Sequence, residues 1–405
     1  MSRWRRILYV SFIAQIAAIV GFSFVYPFLP LYIQSLGVHG RAAALWSGVI
    51  SFALSLAMAL SAPVWGTLAD RYGRKPMVVR AMASGTALIA LLAIAPNVWW
   101  VLVLRILQGV FTGSVSASQA LVASVTPRDK MAFSMGLMQS AVFSGAAIGP
   151  LVGGYCNDHL GFRGTFLAGA AMLLVGTILV VLFVDEEFQP LPAGAARRVN
   201  PYTNMRSIAA SPGLTAMALV MFMAEFGNVA PAPVLPLFIS GLRGVPHAHG
   251  LAQTSTAVGL TLAVAGICAA AASWQIQRFS DRLGYRRVLI IATALAGLFY
   301  APAFFVDSLW QLVLVRAAIG FCLGAAMPTS SAIVGLVTPE NRRASAYSLT
   351  ASASSFGLAA GPLVGGALGA VFGLRVVFLL TAVVLLLVAG AVAAIVPEPT
   401  REATG

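Results

Sequence analysis

Twelve times along its 405 residues the chain runs for about the thickness of a bilayer with almost nothing charged in it. The runs lie near 7–33, 43–68, 77–96, 98–124, 131–156 and 162–184, and again near 213–240, 254–277, 288–305, 308–336, 344–371 and 374–396. A helix crosses the hydrocarbon core with about 20 apolar residues, and in lipid only helices and closed barrels satisfy their own backbone. These runs are continuous and rich in Ala, Leu and Gly, without the alternation of a barrel strand, so they predict an all-α membrane protein of twelve transmembrane helices. The first run follows Arg3, Arg5 and Arg6. Its apolar core outlasts the roughly 7 to 15 residues of a cleavable signal, so it is read as a retained helix.

The twelve runs form two sets of six. Gly149-Pro150-Leu151-Val152-Gly153-Gly154 returns unchanged at Gly361-Pro362-Leu363-Val364-Gly365-Gly366, and Val125–Gly154 set against Val337–Gly366 matches at 15 of 30 positions. Asp70-Arg71-Tyr72-Gly73 echoes in Asp281-Arg282-Leu283-Gly284, and Pro27-Phe28-Leu29-Pro30-Leu31 in Pro233-Val234-Leu235-Pro236-Leu237. A period above 200 residues is a domain duplication, since solenoids and propellers repeat at roughly 20 to 50. The expected layout is a six-helix bundle over 1–184, a cytoplasmic linker over 185–212, a second bundle over 213–396 and a tail over 397–405.

Hydrophobic residues make up 59% of the chain and charged ones 9%, which excludes an ordinary soluble domain. The net charge of +13 would suit a nucleic-acid binder, but its placement argues otherwise. The N-terminus, the even-numbered loops and the tail, counted with Arg80 at the start of span 3, carry 19 Lys and Arg; the opposite loops carry Arg41, Arg163, Arg243 and Arg375 alone. By the positive-inside rule both termini are cytoplasmic in a multi-pass protein of the inner (plasma) membrane. The expected partners are the lipid bilayer and a small-molecule substrate, not nucleic acid, and the working unit is expected to be a monomer. Cys156, Cys268 and Cys322 lie in or at the ends of spans with no metal-ligand spacing, so they read as packing residues.

Three motifs carry more. Gly66-Thr67-Leu68-Ala69-Asp70-Arg71-Tyr72-Gly73-Arg74-Lys75 joins spans 2 and 3, Arg105-Ile106-Leu107-Gln108-Gly109 lies in span 4, and span 5 spaces Gly136, Gly145, Gly149-Pro150 and Gly153-Gly154 as G-x8-G-x3-G-P-x2-G-G. The first resembles the loop signature of the major facilitator superfamily, the second its R-x-x-q-G element, and the third the motif of its drug:proton antiporter branch. The closest likeness within that superfamily is to bacterial twelve-span multidrug and tetracycline exporters. The resemblance implies a cytoplasmic gate at Gly66, Asp70, Arg71, Gly73 and Arg74, repeated at Asp281, Arg282 and Gly284, and a tight hinge at the span 5 glycines and Pro150. It also links Arg105 to proton movement. A buried arginine stays charged and costs roughly 2.5–3.5 kcal/mol or more at the bilayer centre, so Arg105 is expected to face the interior or water.

Of twelve carboxylates, eleven fall in predicted loops, tails or helix ends; the twelfth, Glu225, sits about a dozen residues into span 7. Burial disfavours the charged form of a carboxyl, so such a group can hold a proton and give it up. Glu225 is the expected proton carrier, with protons as the coupling ion and no cofactor. Where the first half aligns with it stands Ile19.

In the fold that the resemblance implies, spans 1, 4, 7 and 10 line the substrate cavity. Candidate lining residues are Gln15, Phe22, Tyr26, Gln108, Gln119, Gln139, Phe143, Phe226, Asn228, Arg316 and Met327. Aromatic and methionine surfaces with sparse polar groups suit bulky amphipathic molecules. The expected activity is proton-coupled export of hydrophobic or cationic drug-like molecules by alternating access. Export or symport of sugars or other metabolites on the same scaffold is the alternative, and a non-transporting receptor the weakest reading. The chain has no GxxxxGK[ST] loop and no metal-ligand cluster, which argues against an enzyme or an ATP-driven pump.

Overall fold

A computed structural model of the chain describes residues 3–24, 26–127, 130–186, 212–243, 252–337 and 343–396. Helices account for nearly all of them. In chain order they are α1 (Arg3–Ser23), α2 (Leu29–Ser35), α3 (Arg41–Tyr72), α4 (Arg74–Leu92), α5 (Val98–Phe111), α6 (Ser114–Val125) and α7 (Met131–Phe183). After residues outside the described set come α8 (Pro212–Val229), α9 (Leu235–Ser240), α10 (Ala252–Leu283), α11 (Tyr285–Tyr300), α12 (Leu309–Val337), α13 (Arg343–Phe372) and α14 (Leu374–Ile395).

Among the described residues, ten helical stretches are long and apolar enough to cross a membrane. One of them, Phe133–Phe183, is 51 residues long and breaks at Gly161, whose φ of 67° only glycine adopts freely, so it holds two crossings. With the shorter apolar helix Met217–Val229 this is consistent with twelve. Leu182, Leu298 and Leu387 are 65%, 58% and 62% exposed, as side chains facing lipid tails would be.

Three spans expected to be continuous are interrupted. Span 1 stops at Ser23, passes through a 3-10 turn at Tyr26–Phe28 and resumes as α2 with Pro30 in its first turn. Span 7 stops at Val229 and resumes as α9 with Pro236 in the same place. Proline lacks the N–H that would continue the preceding helix but suits the first turn of the next. Span 4 breaks at Gly113, φ 119°, while its counterpart Gly324 stays inside α12.

The chain folds as two compact units, Met1–Arg197 with Val245–Ala263, and Arg198–Gly244 with Val264–Gly405. In the first, α1 packs along α7, α4 also packs on α7, and α3 packs on α5. In the second, α8 packs along α13, and α11 lies against α12 and α14. The duplicated glycines make both long contacts. A Cβ on Gly145 would stand 2.7 Å from the Cβ of Ile19, and one on Gly153 would stand 3.0 Å from the Cα of Phe24. Gly149 meets Ser23 between them. On α13, a Cβ on Gly357 would stand 3.1 Å from the Cβ of Glu225 and one on Gly361 2.7 Å from Val229, while Gly365 lies against the Ala230 carbonyl. Each pair matches its counterpart at the repeat interval. Small residues let the backbones approach where lipid supplies no hydrophobic drive between helices.

Candidate functional site

At the end of α3 the chain turns on Gly73, φ 97°, and enters α4. The first N–H groups of that helix have no partner within it and carry the positive end of its dipole. Glu186 supplies the acceptor: Oε1 accepts from the Arg74 amide at 2.8 Å and Oε2 from the Lys75 amide at 2.7 Å. Lys75 Nζ donates to the Val181 carbonyl at 3.0 Å, and Arg6 pairs with Asp185. The motif loop is therefore tied to the end of span 6 through its backbone. In the second unit Gly284 repeats the turn at φ 85°, Arg282 is exposed, and Arg286 donates to the Ala393 carbonyl. The side chains of Asp70, Arg71 and Asp281, and the surroundings of Gly66, lie outside the described residues.

Arg105 is 2% exposed on α5. Its Nη1 donates to Gln108 Oε1 at 2.9 Å, while Nε and Nη2 have no protein partner among the described residues. The Tyr26 hydroxyl hydrogen-bonds Ser51 and stands within electrostatic reach of this guanidinium. No carboxylate is bonded to Arg105 among the described residues. Its counterpart Arg316 donates to the Tyr300 hydroxyl at 3.0 Å.

Along α7, Gly145, Gly149 and Gly153 face α1, and Gly154 lies against the Ser255 backbone at the start of α10. Gly259 comes as close to the Pro150 carbonyl. Asn157 Nδ2 donates to Ser255 Oγ at 2.6 Å, and Asp158 accepts from the Thr256 amide at 2.8 Å and from its hydroxyl. Gly136 differs from the rest, since among the described residues nothing outside its own stretch of helix lies within 4 Å of where its Cβ would be.

The candidate cavity residues divide between the units. In the first, Gln15 is fully buried with both amide atoms unpartnered among the described residues, Phe22 packs on Gly85, and Gln119 lies 3.4 Å from Gln139. The side chain of Phe143 lies outside the described residues. In the second, Phe226 stacks on Phe222 with centroids 6.1 Å apart, and Asn228 hydrogen-bonds Glu225. Glu225 and Met327 both line a cavity of about 120 Å³ walled by α8, α11, α12, α13 and α14. Its other polar lining is Thr293, Ser330, Ser331 and Ser354.

Sequence reasoning passed over Glu186, which reads as an ordinary loop acid in Asp185-Glu186-Glu187. An anion three-dimensionally opposite a Gly-then-helix start is the signal that would have found it, and that signal needs the fold. It also passed over Trp65, whose ring lies 3.4 Å from the Arg80 guanidinium carbon and whose Nε1 donates to the Val110 carbonyl at 2.6 Å.

A duplicated bundle of membrane-length helices, with a buried arginine in one copy and an intramembrane acid in the other, defines a multi-pass helical membrane transporter. The chain belongs to the Major Facilitator Superfamily, whose family model it matches over residues 11–254 and 217–405. It is 34% identical over 365 residues to a multi-drug resistance efflux pump PmrA homolog of Lactococcus lactis subsp. lactis, covering 90% of this chain and 88% of that one. It is 33% identical over 388 residues to the multidrug resistance protein MdtG of Enterobacter lignolyticus, covering 95% and 90%. Among solved structures it superposes on a bacterial homolog of the human lysosomal transporter Spinster, inward-facing and occupied, with a TM-score of 0.78 at 14% identity and 97% coverage of both chains. The protein is a transporter rather than an enzyme, and its partner is a small-molecule substrate.

Proposed function

We propose that this protein is a proton-coupled exporter of hydrophobic or cationic drug-like molecules, working by alternating access in the inner membrane as a monomer with both termini in the cytoplasm. The names of its relatives support the substrate class. The observation that carries the coupling is Glu225: an acid one turn before the end of α8, beside a cavity with four hydroxyl side chains, at the position where the first copy has Ile19. An ionisable residue inside a membrane is costly unless it has work to do. Arg105, a buried arginine in the first copy, is the second residue assigned to proton coupling. Protons are the coupling ion and no cofactor takes part.

Drug-susceptibility profiling in an efflux-deficient bacterium tests this. Wild type should raise resistance to several cationic dyes and antibiotics, and Glu225→Gln should return it to the background of the empty host. Full resistance in the Glu225→Gln strain overturns the proton-carrier role. Counterflow of sugars with no drug phenotype favours the metabolite alternative.

A further inference from the structure

In the first unit, Ala14, Met82 and Gly176 meet: a Cβ on Gly176 would stand 3.0 Å from the Ala14 carbonyl oxygen and 3.6 Å from the Met82 sulfur. Met82 is fully buried there. The locus is solid. With the two halves aligned helix by helix, at offsets of 206, 211 and 212 residues, their counterparts are Val220, Thr293 and Val388, and all three line the cavity at Glu225. At this place the first copy packs Gly176 against Ala14 and Met82, and the second opens a cavity.

What lines the hollow differs in kind as well as in size. Ile19, Met82 and Val142 of the first copy correspond to Glu225, Thr293 and Ser354 of the second. Three helices, α8, α11 and α13, each exchange an apolar group for a polar one at a single locus. Burying polar groups is unfavourable unless they find hydrogen-bond partners. Thr293 Oγ1 donates to the Leu289 carbonyl at 2.7 Å and Ser330 Oγ to the Ala326 carbonyl at 3.0 Å. With their hydrogens engaged, these hydroxyls present lone pairs to the cavity, as an ionised carboxyl does. Thr293 and Ser330 therefore offer acceptors, which suit an occupant that donates.

Size narrows the occupant further. A cavity of about 120 Å³ has room for several waters, since roughly 10–15 Å³ of such volume is enough for one. Pockets that enclose drug-sized ligands run to roughly 300–1,000 Å³. Water carrying an excess proton donates in every direction and fits.

We propose that this cavity is a water-filled antechamber through which protons reach and leave Glu225, that Thr293 and Ser354 hold its water, and that substrate does not enter it. The proposal rests on Glu225 as the proton carrier and adds where the proton waits. Thr293 and Ser354 act as positioning residues, through water, on Glu225.

Infrared difference spectroscopy of the purified full-length protein reads this without a known substrate. The carboxyl C=O band that disappears in Glu225→Gln belongs to Glu225, and its downshift on transfer to D2O times proton exchange. Thr293→Met with Ser354→Val, which copies the first unit's filling, should slow that exchange by about 10-fold or more. Thr293→Val, nearly isosteric, should slow it in the same direction and guards against misfolding of the double variant. Ethidium affinity, followed by fluorescence anisotropy, should stay within about 2-fold, well below the tenfold that a lost 1.4 kcal/mol contact produces. Unchanged exchange in both variants overturns the antechamber while leaving Glu225 as carrier. Loss of ethidium affinity by about 10-fold or more with exchange intact makes the cavity a substrate site instead. A band shift on replacing choline chloride by sodium chloride makes it a metal-cation site. Absence of any band lost in Glu225→Gln sinks the carrier reading itself.

Discussion

Gly357 lies against Glu225, 3.1 Å from the acid's Cβ to where its own would stand, in the register that sets Gly145 against Ile19. The pair belongs to the α13·α8 contact, the counterpart of α7·α1. The glycine row thus does the same packing work in both copies, and the acid was introduced without disturbing it. The close helix approach depends on the absence of a side chain at Gly357, and that absence brings α13 up against Glu225.

Filling that contact should cost stability in proportion to how little can move. Gly149→Val places a side chain into Ser23, and Gly357→Val into the Phe222 backbone and Glu225. Overpacking of this kind costs about 1–3 kcal/mol. Thermal unfolding of the purified protein in detergent should show a lower midpoint for both. Gly136→Ala, with open space around it, should stay within about 0.5 kcal/mol of wild type. A destabilised Gly136→Ala beside an unaffected Gly149→Val would mean that the α7 packing described above is wrong.

Glu186 should anchor the start of α4. Its carboxylate accepts from the Arg74 and Lys75 amides, an N-terminal cap worth about 1 kcal/mol. Glu186→Ala should therefore speed hydrogen exchange at those two amides by roughly fivefold. Glu186→Gln, which keeps an acceptor but loses the charge, should fall between. Equal protection in all three proteins would show that another group caps this helix.

Much of this could be read from the chain before its fold, for identifiable reasons. Spans and duplication were legible because lipid imposes one solvent over about 20 residues at a time, and because Gly149-Pro150 and Gly361-Pro362 sit in the same surroundings. Glu225 was legible because a lone acid in an apolar run has no cheap explanation. The breaks after Ser23 and Val229 were less so. Pro27 and Pro233 announced a turn, but how far a helix runs before its proline depends on what packs there. Glu186 was hidden altogether, since it matters through Arg74, a group far away in sequence, and nothing in the sequence sets Thr293 in one cavity with Glu225.

Gln108 should matter chiefly through Arg105. It is the residue bonded to that buried guanidinium, at 2.9 Å, while Nε and Nη2 lack protein partners among the described residues. Gln108→Leu would leave the charge with still less, at a cost of about 1–3 kcal/mol. Gln108→Glu, which supplies an acceptor and an opposite charge, should recover most of it. Thermal midpoints of the two variants measure this. If Gln108→Leu unfolds at the wild-type temperature, water carries the arginine and the glutamine is incidental.

Asp307 predicts a pH dependence confined to acid. Arg375 Nη2 donates to Asp307 Oδ1 at 2.6 Å and Nη1 to the Phe304 carbonyl at 2.8 Å. That hydrogen bond, with the charges of Arg375 and Arg243, holds the Asp307 carboxyl below its ordinary range. A carboxyl with a depressed folded pKa binds fewer protons folded than unfolded, so stability rises with pH between the two values. Its contribution is fully present above the unfolded pKa of about 4 and is lost as pH falls through the folded one. The pair is exposed, with side chains 42% and 68% accessible, so the effect is small and screened by salt. Thermal midpoints of wild type and Asp307→Asn should differ by a constant amount from about pH 8 to 5 and converge below about 4. A difference that instead changes between pH 6 and 8 would assign the effect to another group and release Asp307 from the clasp.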